Sequence, residues 1–190
     1  MVKYFHSQYP KVRLNFTTCA FEGLEKDLRK GITDLAFLLA ESISASDLLV
    51  ETVGFESIVL VSGPHHPLAA KKSVHTRDLA GATILLSKVD CSYRRIFEQI
   101  LDQEEVRQSN RLEFFSVETI KRCVMTGVGI SVLPEVAVAE EVARKKLVIL
   151  PWSEGKIDVA VLMIWYQDRW ISPTLKAFME ATRKVMARAA

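Results

Sequence analysis

With 190 residues, the chain has room for one large domain or two small ones, and at 49% hydrophobic residues it can bury a substantial core. Its 25 basic and 23 acidic side chains leave a net charge of +2, and the basic residues are dispersed, which excludes the basic stripe that neutralises nucleic-acid phosphates. No apolar run is long enough to span a bilayer, and the first ten residues lack the apolar centre of a signal peptide. Cys19, Cys91 and Cys123 are odd in number and scattered, which fits a reducing cytoplasm better than a disulfide framework.

In chain order, Val2, Phe5 and Tyr9 recur at helical spacing until Pro10 stops the helix. Val12 to Thr17 alternates apolar and polar residues and reads as a strand. Phe21 to Lys30 predicts a helix with Phe21, Leu24 and Leu28 inward and Gly31 as its C-cap. Leu35 to Leu39 reads as a buried strand, and Leu48 to Val53 and Ser57 to Ser62 as two strands with a turn at Gly54. A loop with two prolines follows, from Gly63 to Lys72, then one helical turn at Thr76 to Gly81 and a strand at Thr83 to Leu86. Ser92 to Leu101 predicts a helix with Ile96, Phe97, Ile100 and Leu101 inward.

The segment from Arg111 to Pro134 is the most legible. Leu112, Phe114 and Phe115 suit a short strand, and Ser116 caps the helix that follows. Val117, Ile120 and Val124 give that helix one apolar face, Gly127 stops it, and Ile130, Val132 and Leu133 form a buried strand ended by Pro134. Strand, helix, strand implies a parallel pair with a right-handed crossover. The Gly127-x-Gly129 pair is no dinucleotide loop, since it closes a helix instead of opening one; it reads as cap and tight turn. A helix over Glu135 to Arg144, strands at Leu147 to Leu150 and Asp158 to Tyr166, and a closing helix from Ser172 to Ala187 complete the chain. Strands alternating with helices mean an α/β fold with parallel sheets covered on both faces. Two halves are expected, residues 1–58 with 155–190 and residues 59–154, so the chain crosses twice and leaves a cleft where small ligands bind.

Several residues suggest chemistry. Ser92 and Tyr93 open a helix, where amides and the dipole favour an anion, though Ser92 is equally well read as a cap alone. Arg94 and Arg95 can pair with a ligand carboxylate or sit on a solvated helix face. Cys91, beside the same helix start, is a redox candidate, although an unreactive loop thiol is the commoner case. Ser116 and Val117 form a second helix start facing the same space. His65 and His66 have no Cys or His at ligand spacing, so a turn before Pro67 accounts for them better than a metal. Glu104-Glu105 and Glu140-Glu141 read as solvated surface, and Asp34 as a residue bonding its local backbone. No cofactor loop, metal spacing or nucleophile with a local base is present, so neither cofactor nor catalysis is expected.

Read together, these stretches resemble the effector-binding domain of LysR-type transcriptional regulators. The resemblance is carried by Leu24-x-x-x-Leu28-x-x-Gly31-x-x-Asp34-Leu35-Ala36-Phe37, by His66-Pro67-Leu68-Ala69 and Asp78-Leu79-Ala80-Gly81, by Cys91-Ser92-Tyr93-Arg94, and by Val124-x-x-Gly127-x-Gly129-Ile130-x-x-Leu133-Pro134 with Leu147-Val148-x-Leu150. It runs from about Val2 to Arg188. The resemblance implies two Rossmann-like subdomains similar to type-2 periplasmic binding proteins, with a small, anionic metabolite bound between them at Cys91, Ser92, Tyr93, Arg94, Ser116 and Val117. It also implies a homodimer, extended to a tetramer at full length, in which the first helix meets the helix beginning at Ser92 of a second copy. DNA would be contacted only by a separate helix-turn-helix domain. That domain, its linker helix and the family's first strand, which lies between Val12–Thr17 and Leu35–Leu39, have no counterpart in the sequence. The chain therefore reads as a truncated sensor module. A transporter's solute-binding protein on the same fold, or a small α/β enzyme, are the competing readings.

Overall fold

The computed structural model describes residues 1–17, 21–40, 43, 45–87, 92–106 and 110–187. The chain divides into two units, one built from Met1–Phe55 with Ala160–Ala190 and the other from Glu56–Val159. In the first unit, α1 (Val2–Gln8) presents Phe5, whose ring meets Phe178 of α6 (Pro173–Met186) edge-on with centroids 5.0 Å apart. Val12 and Leu14 pack against this pair. Ser172 caps α6, its Oγ accepting from the Leu175 amide at 3.1 Å, and Pro173 occupies the first turn, where no intrahelical donor is lost. A second core joins Leu24 and Leu28 of α2 (Phe21–Arg29) to Ala36, Leu162 and Ile164. These last come from β1 (Ala36–Leu39) and β7 (Ile157–Tyr166), which pair antiparallel with Ala36 opposite Ile164.

Val12 to Thr17, expected as a strand, has no ladder partner among the described residues. Its alternation is real, with Val12 and Leu14 inward, but a strand also needs a neighbour to bond. Asp34, expected to bond its own backbone, instead pairs with Arg169 of the segment after β7. Tyr9 and Val2 are exposed, so α1 buries Phe5 alone from that helical stripe.

Leu48–Ser62 is a single strand, β2, with no turn at Gly54. That glycine lies inside the strand, with the terminal methyl of Met186 2.9 Å from where its Cβ would stand. β2 and β7 are the two strands that pass from one unit to the other.

The second unit holds β3 (Thr83–Ser87), α3 (Ser92–Gln103), β4 (Asn110–Phe114), α4 (Val117–Met125), β5 (Ile130–Pro134), α5 (Glu135–Ala143) and β6 (Val148–Ile149). Its sheet is mixed, where an all-parallel one was expected. β3 runs parallel to β4 and to β5, whereas β2 runs antiparallel to β5 and β6. The core beneath α4 and α5 consists of Val59, Val61, Leu85, Ile120, Val124, Leu133, Val138 and Leu147.

Between α4 and α5 lies an ion cluster that includes Glu141, which was expected on the solvated surface. Lys121 is 8% exposed and donates to the Ala137 carbonyl at 3.0 Å; its Nζ also meets Glu118 at 2.7 Å and Glu141 at 2.9 Å. Glu141 is therefore a half-buried partner, while Glu140 stays outside, paired with Arg144. Burial opposes the charge of Lys121, but the hydrogen bonds it donates to Glu118 and Glu141 outweigh it and raise its pKa.

Two helices end on residues with left-handed backbone that are not glycine. Glu105 follows α3 with φ 52°, and Lys145 follows α5 with φ 58°. At the second, Lys145 N donates to Val142 O (2.9 Å) and Lys146 N to Glu141 O (2.8 Å), a paired C-cap that glycine fills best. Lys145→Gly is expected to raise stability by about 0.5 to 1 kcal/mol, the relief of left-handed strain exceeding the added freedom of the unfolded chain. A urea midpoint that fell would contradict it.

His66 opens the short 3-10 helix Pro67–Ala70, its Nδ1 accepting from the Leu68 amide at 3.3 Å. Burial pushes its pKa below the ordinary 6.5. Because the folded pKa is the lower one, the cap's contribution is complete above about pH 6.5 and declines as the pH falls through the folded value. Urea unfolding between pH 8 and 5 should show this decline in the wild type and a smaller one in His66→Asn, whose amide oxygen caps without titrating. Equal slopes would refute the assignment.

Candidate functional site

In the second unit the strand order places β3 between β5 and β4. The connection from β3 to β4 moves one way along the sheet and that from β4 to β5 moves back. With right-handed crossovers, α3 and α4 must then lie on opposite faces. The core under α4 agrees, since it takes Leu85 from β3 and nothing from α3 among the described residues. The faces therefore part at the carboxyl ends of β3 and β4, where Ser87 stands beside Phe114. Ligands of open α/β sheets bind at such a parting.

The starts of α3 and α4 follow these two strand ends. Ser116 is extended (φ −122°, ψ 123°) and its Oγ accepts from the Thr119 amide at 3.4 Å, a long capping bond. Val117 is half-buried against the core beneath α4. The first turn of α4 contains Glu118, whereas that of α3 contains no acid. The positive end of the α3 dipole thus has no side-chain carboxylate of its own first turn to compensate it. Ser92 is the first residue of α3, described by its backbone, and Tyr93 is buried at 4% exposure, so its ring belongs to the core. Cys91 lies outside the described residues.

Arg94 departs most from its expected role. Its Nη1 donates to the carbonyl of Ser87 at 2.7 Å, its Nε to Glu98 at 2.9 Å and its Nη2 to Glu113 at 2.5 Å. Arg111 joins from β4, 3.2 Å from Glu98. All three guanidinium nitrogens of Arg94 are engaged by the protein, and its side chain is 16% exposed. Burial opposes its charge, but the hydrogen bonds to the two glutamates prevail and raise its pKa. Glu98, at i+4, was open to sequence reading as a helical pair; Glu113 and the Ser87 carbonyl were not, since only the β3–β4 register brings them near.

A two-unit α/β chain with helix starts gathered at a switch point has the build of a small-molecule sensing domain. A family model described as the LysR substrate binding domain matches residues 1–187, and the chain belongs to that family. It is 36% identical over 185 residues to an uncharacterized HTH-type transcriptional regulator, YwqM of Bacillus subtilis (strain 168), covering 97% of this chain and 62% of that relative. It is 29% identical over 183 residues to the HTH-type transcriptional regulator GltR of the same organism, covering 96% of this chain and 60% of GltR. The chain thus spans less than two thirds of the length of these relatives, which are described as transcriptional regulators. Among solved structures it is similar to the CcmR regulatory domain of Synechocystis PCC6803 in complex with 2-PG, with a TM-score of 0.85 at 23% identity, covering 97% of this chain and 88% of that one. It is also similar to the effector-binding domain of QuiR in complex with shikimate, with a TM-score of 0.81 at 19% identity, covering 98% and 88%. These two likenesses show the fold. Among the described residues no helix is long and apolar enough to cross a membrane.

Proposed function

We propose that the chain is the effector-sensing module of a cytoplasmic LysR-type transcriptional regulator, and that it takes a small organic anion at the amide end of α3. The observation that carries this reading is the acid-free first turn of α3 following a strand end at the switch point of its sheet. Ser92 and Tyr93 supply the helix start, Cys91 precedes it in sequence, and Ser116 with Val117 supplies the second helix start nearby. The CcmR and QuiR domains, described with 2-PG and with shikimate, support a small-molecule ligand. In the whole protein the anion alters DNA contacts made by a separate helix-turn-helix domain, within a homodimer.

A thermal-shift screen with organic acids and amino acids tests the reading, because a ligand that binds only the folded state raises its melting temperature. The hit is then measured by calorimetry against Ser92→Ala and Ser116→Ala. Loss of a charge-assisted contact worth roughly 1.5 to 3 kcal/mol weakens binding by one to two orders of magnitude. An uncharged effector, or one indifferent to both substitutions, would overturn the anion site.

A further inference from the structure

Arg94 ties three pieces of the second unit together: the end of β3 through the Ser87 carbonyl, the edge strand β4 through Glu113, and its own helix through Glu98. It is the third residue of α3, so the bond to Ser87 fixes the helix's first turn against the strand end that precedes it. The planar fork suits this arrangement, since its donors are fixed in one plane on three separate nitrogens and so hold a carbonyl and two carboxylates that lie in different directions. Its charge is already matched: Arg94 and Arg111 face Glu98 and Glu113.

We infer that Arg94 is a positioning residue, a latch that holds the first turn of α3 at the switch point through Ser87 and Glu113, and that it does not itself meet the effector. This rests on the anion reading of the α3 start for its functional consequence, but not for the latch itself. The two roles make opposite forecasts for the partner residue. If Arg94 contacted the anion directly, removing Glu113 would free a guanidinium, delete a competing negative charge and strengthen binding. If Arg94 is a latch, removing Glu113 loosens it and weakens binding, as removing Arg94 does.

The experiment compares the wild-type chain with Arg94→Gln, Arg94→Lys and Glu113→Ala. Amide hydrogen exchange is followed by NMR at residues 93–97, urea denaturation gives global stability, and inorganic phosphate serves as the oxyanion probe. The expected result is faster exchange at residues 93–97 in all three variants, beyond any change in global stability. Phosphate binding should weaken by about tenfold in each, the scale of a loosened supporting contact. Unchanged local exchange in Arg94→Gln and Glu113→Ala would overturn the latch. Tighter phosphate binding by Glu113→Ala, or wild-type affinity in Arg94→Lys, would overturn positioning in favour of direct contact. If local exchange rises in the variants while the wild type shows no phosphate response at residues 93–97, the latch stands and the anion reading fails.

Discussion

Gly129→Ala is expected to leave the chain unfolded or nearly so, while Gly127→Ala, two residues away, is expected to remain folded. The reason is distance. A Cβ on Gly129 would stand 2.1 Å from the Thr83 carbonyl oxygen and 2.9 Å from a Leu85 methyl. The first of these is backbone at the start of β3, and β5 pairs with β3 immediately afterwards, Ile84 opposite Ile130. Neither strand can retreat without opening the centre of the sheet. A cost of about 4 kcal/mol or more is expected, comparable with the whole stability of many domains. Gly127 is different. Its φ is +84°, and nothing lies within 4 Å of an added Cβ. Alanine there bears only the left-handed penalty, about 1 to 2 kcal/mol. Far-ultraviolet circular dichroism and urea denaturation separate the two outcomes, and equal losses would show that the close approach to Thr83 is not decisive.

Lys121→Ala is expected to destabilise the chain by about 3 kcal/mol, because it strands a carboxylate that the fold has largely taken out of water. Glu141 is 16% exposed, and its Oε2 is buried with no hydrogen-bond partner even in the intact cluster. The Ala137 carbonyl loses a donor as well. Glu118, 70% exposed, returns to solvent at little cost. The double variant Lys121→Met with Glu141→Leu removes both charges and keeps apolar volume, so most of the loss is expected to be recovered. If urea denaturation shows the double variant as unstable as Lys121→Ala, the stranded charge is not the cause.

The two glycines also show where sequence reading runs out. Gly127 was legible as a cap because it follows a helical stripe whose buried members, Ile120 and Val124, are spaced for one face. The need for glycine at position 129 was not, because the clashing atom belongs to Thr83, on a different strand. Gly54 misled in another way: a turn was expected from the residue type, but the strand runs straight through it. Alternation over Val12 to Thr17 showed which side chains face inward without showing whether a neighbouring strand is there to pair with. Strand direction was misread because β2 and β5 have the same apolar texture in either orientation. At the candidate site, the helix start at Ser116 could be read from capping chemistry, whereas Ser92, expected as a cap, is already the first residue of its helix. The engagement of Arg94 depended on the register that sets Ser87 beside Phe114, which no local pattern encodes.

The passage of β2 and β7 between the two units has a consequence for the order in which the chain is made. The unit at Glu56–Val159 is continuous and can close as soon as its last residue emerges during synthesis. The other unit is interrupted by it. Ala36 must wait for Ile164, and Phe5 for Phe178, so α1, α2 and β1 are made early yet lack their partners until the C-terminal segment arrives. Chains are synthesised at about 5 to 20 residues per second, and domains fold as units as they emerge. For several seconds, therefore, the nascent chain carries a finished second unit and an unfinished first one, in which Phe5 lacks Phe178 and Leu24 and Leu28 lack Leu162 and Ile164. That interval, with part of the first unit's apolar surface uncovered, is when aggregation is expected to compete most strongly with folding.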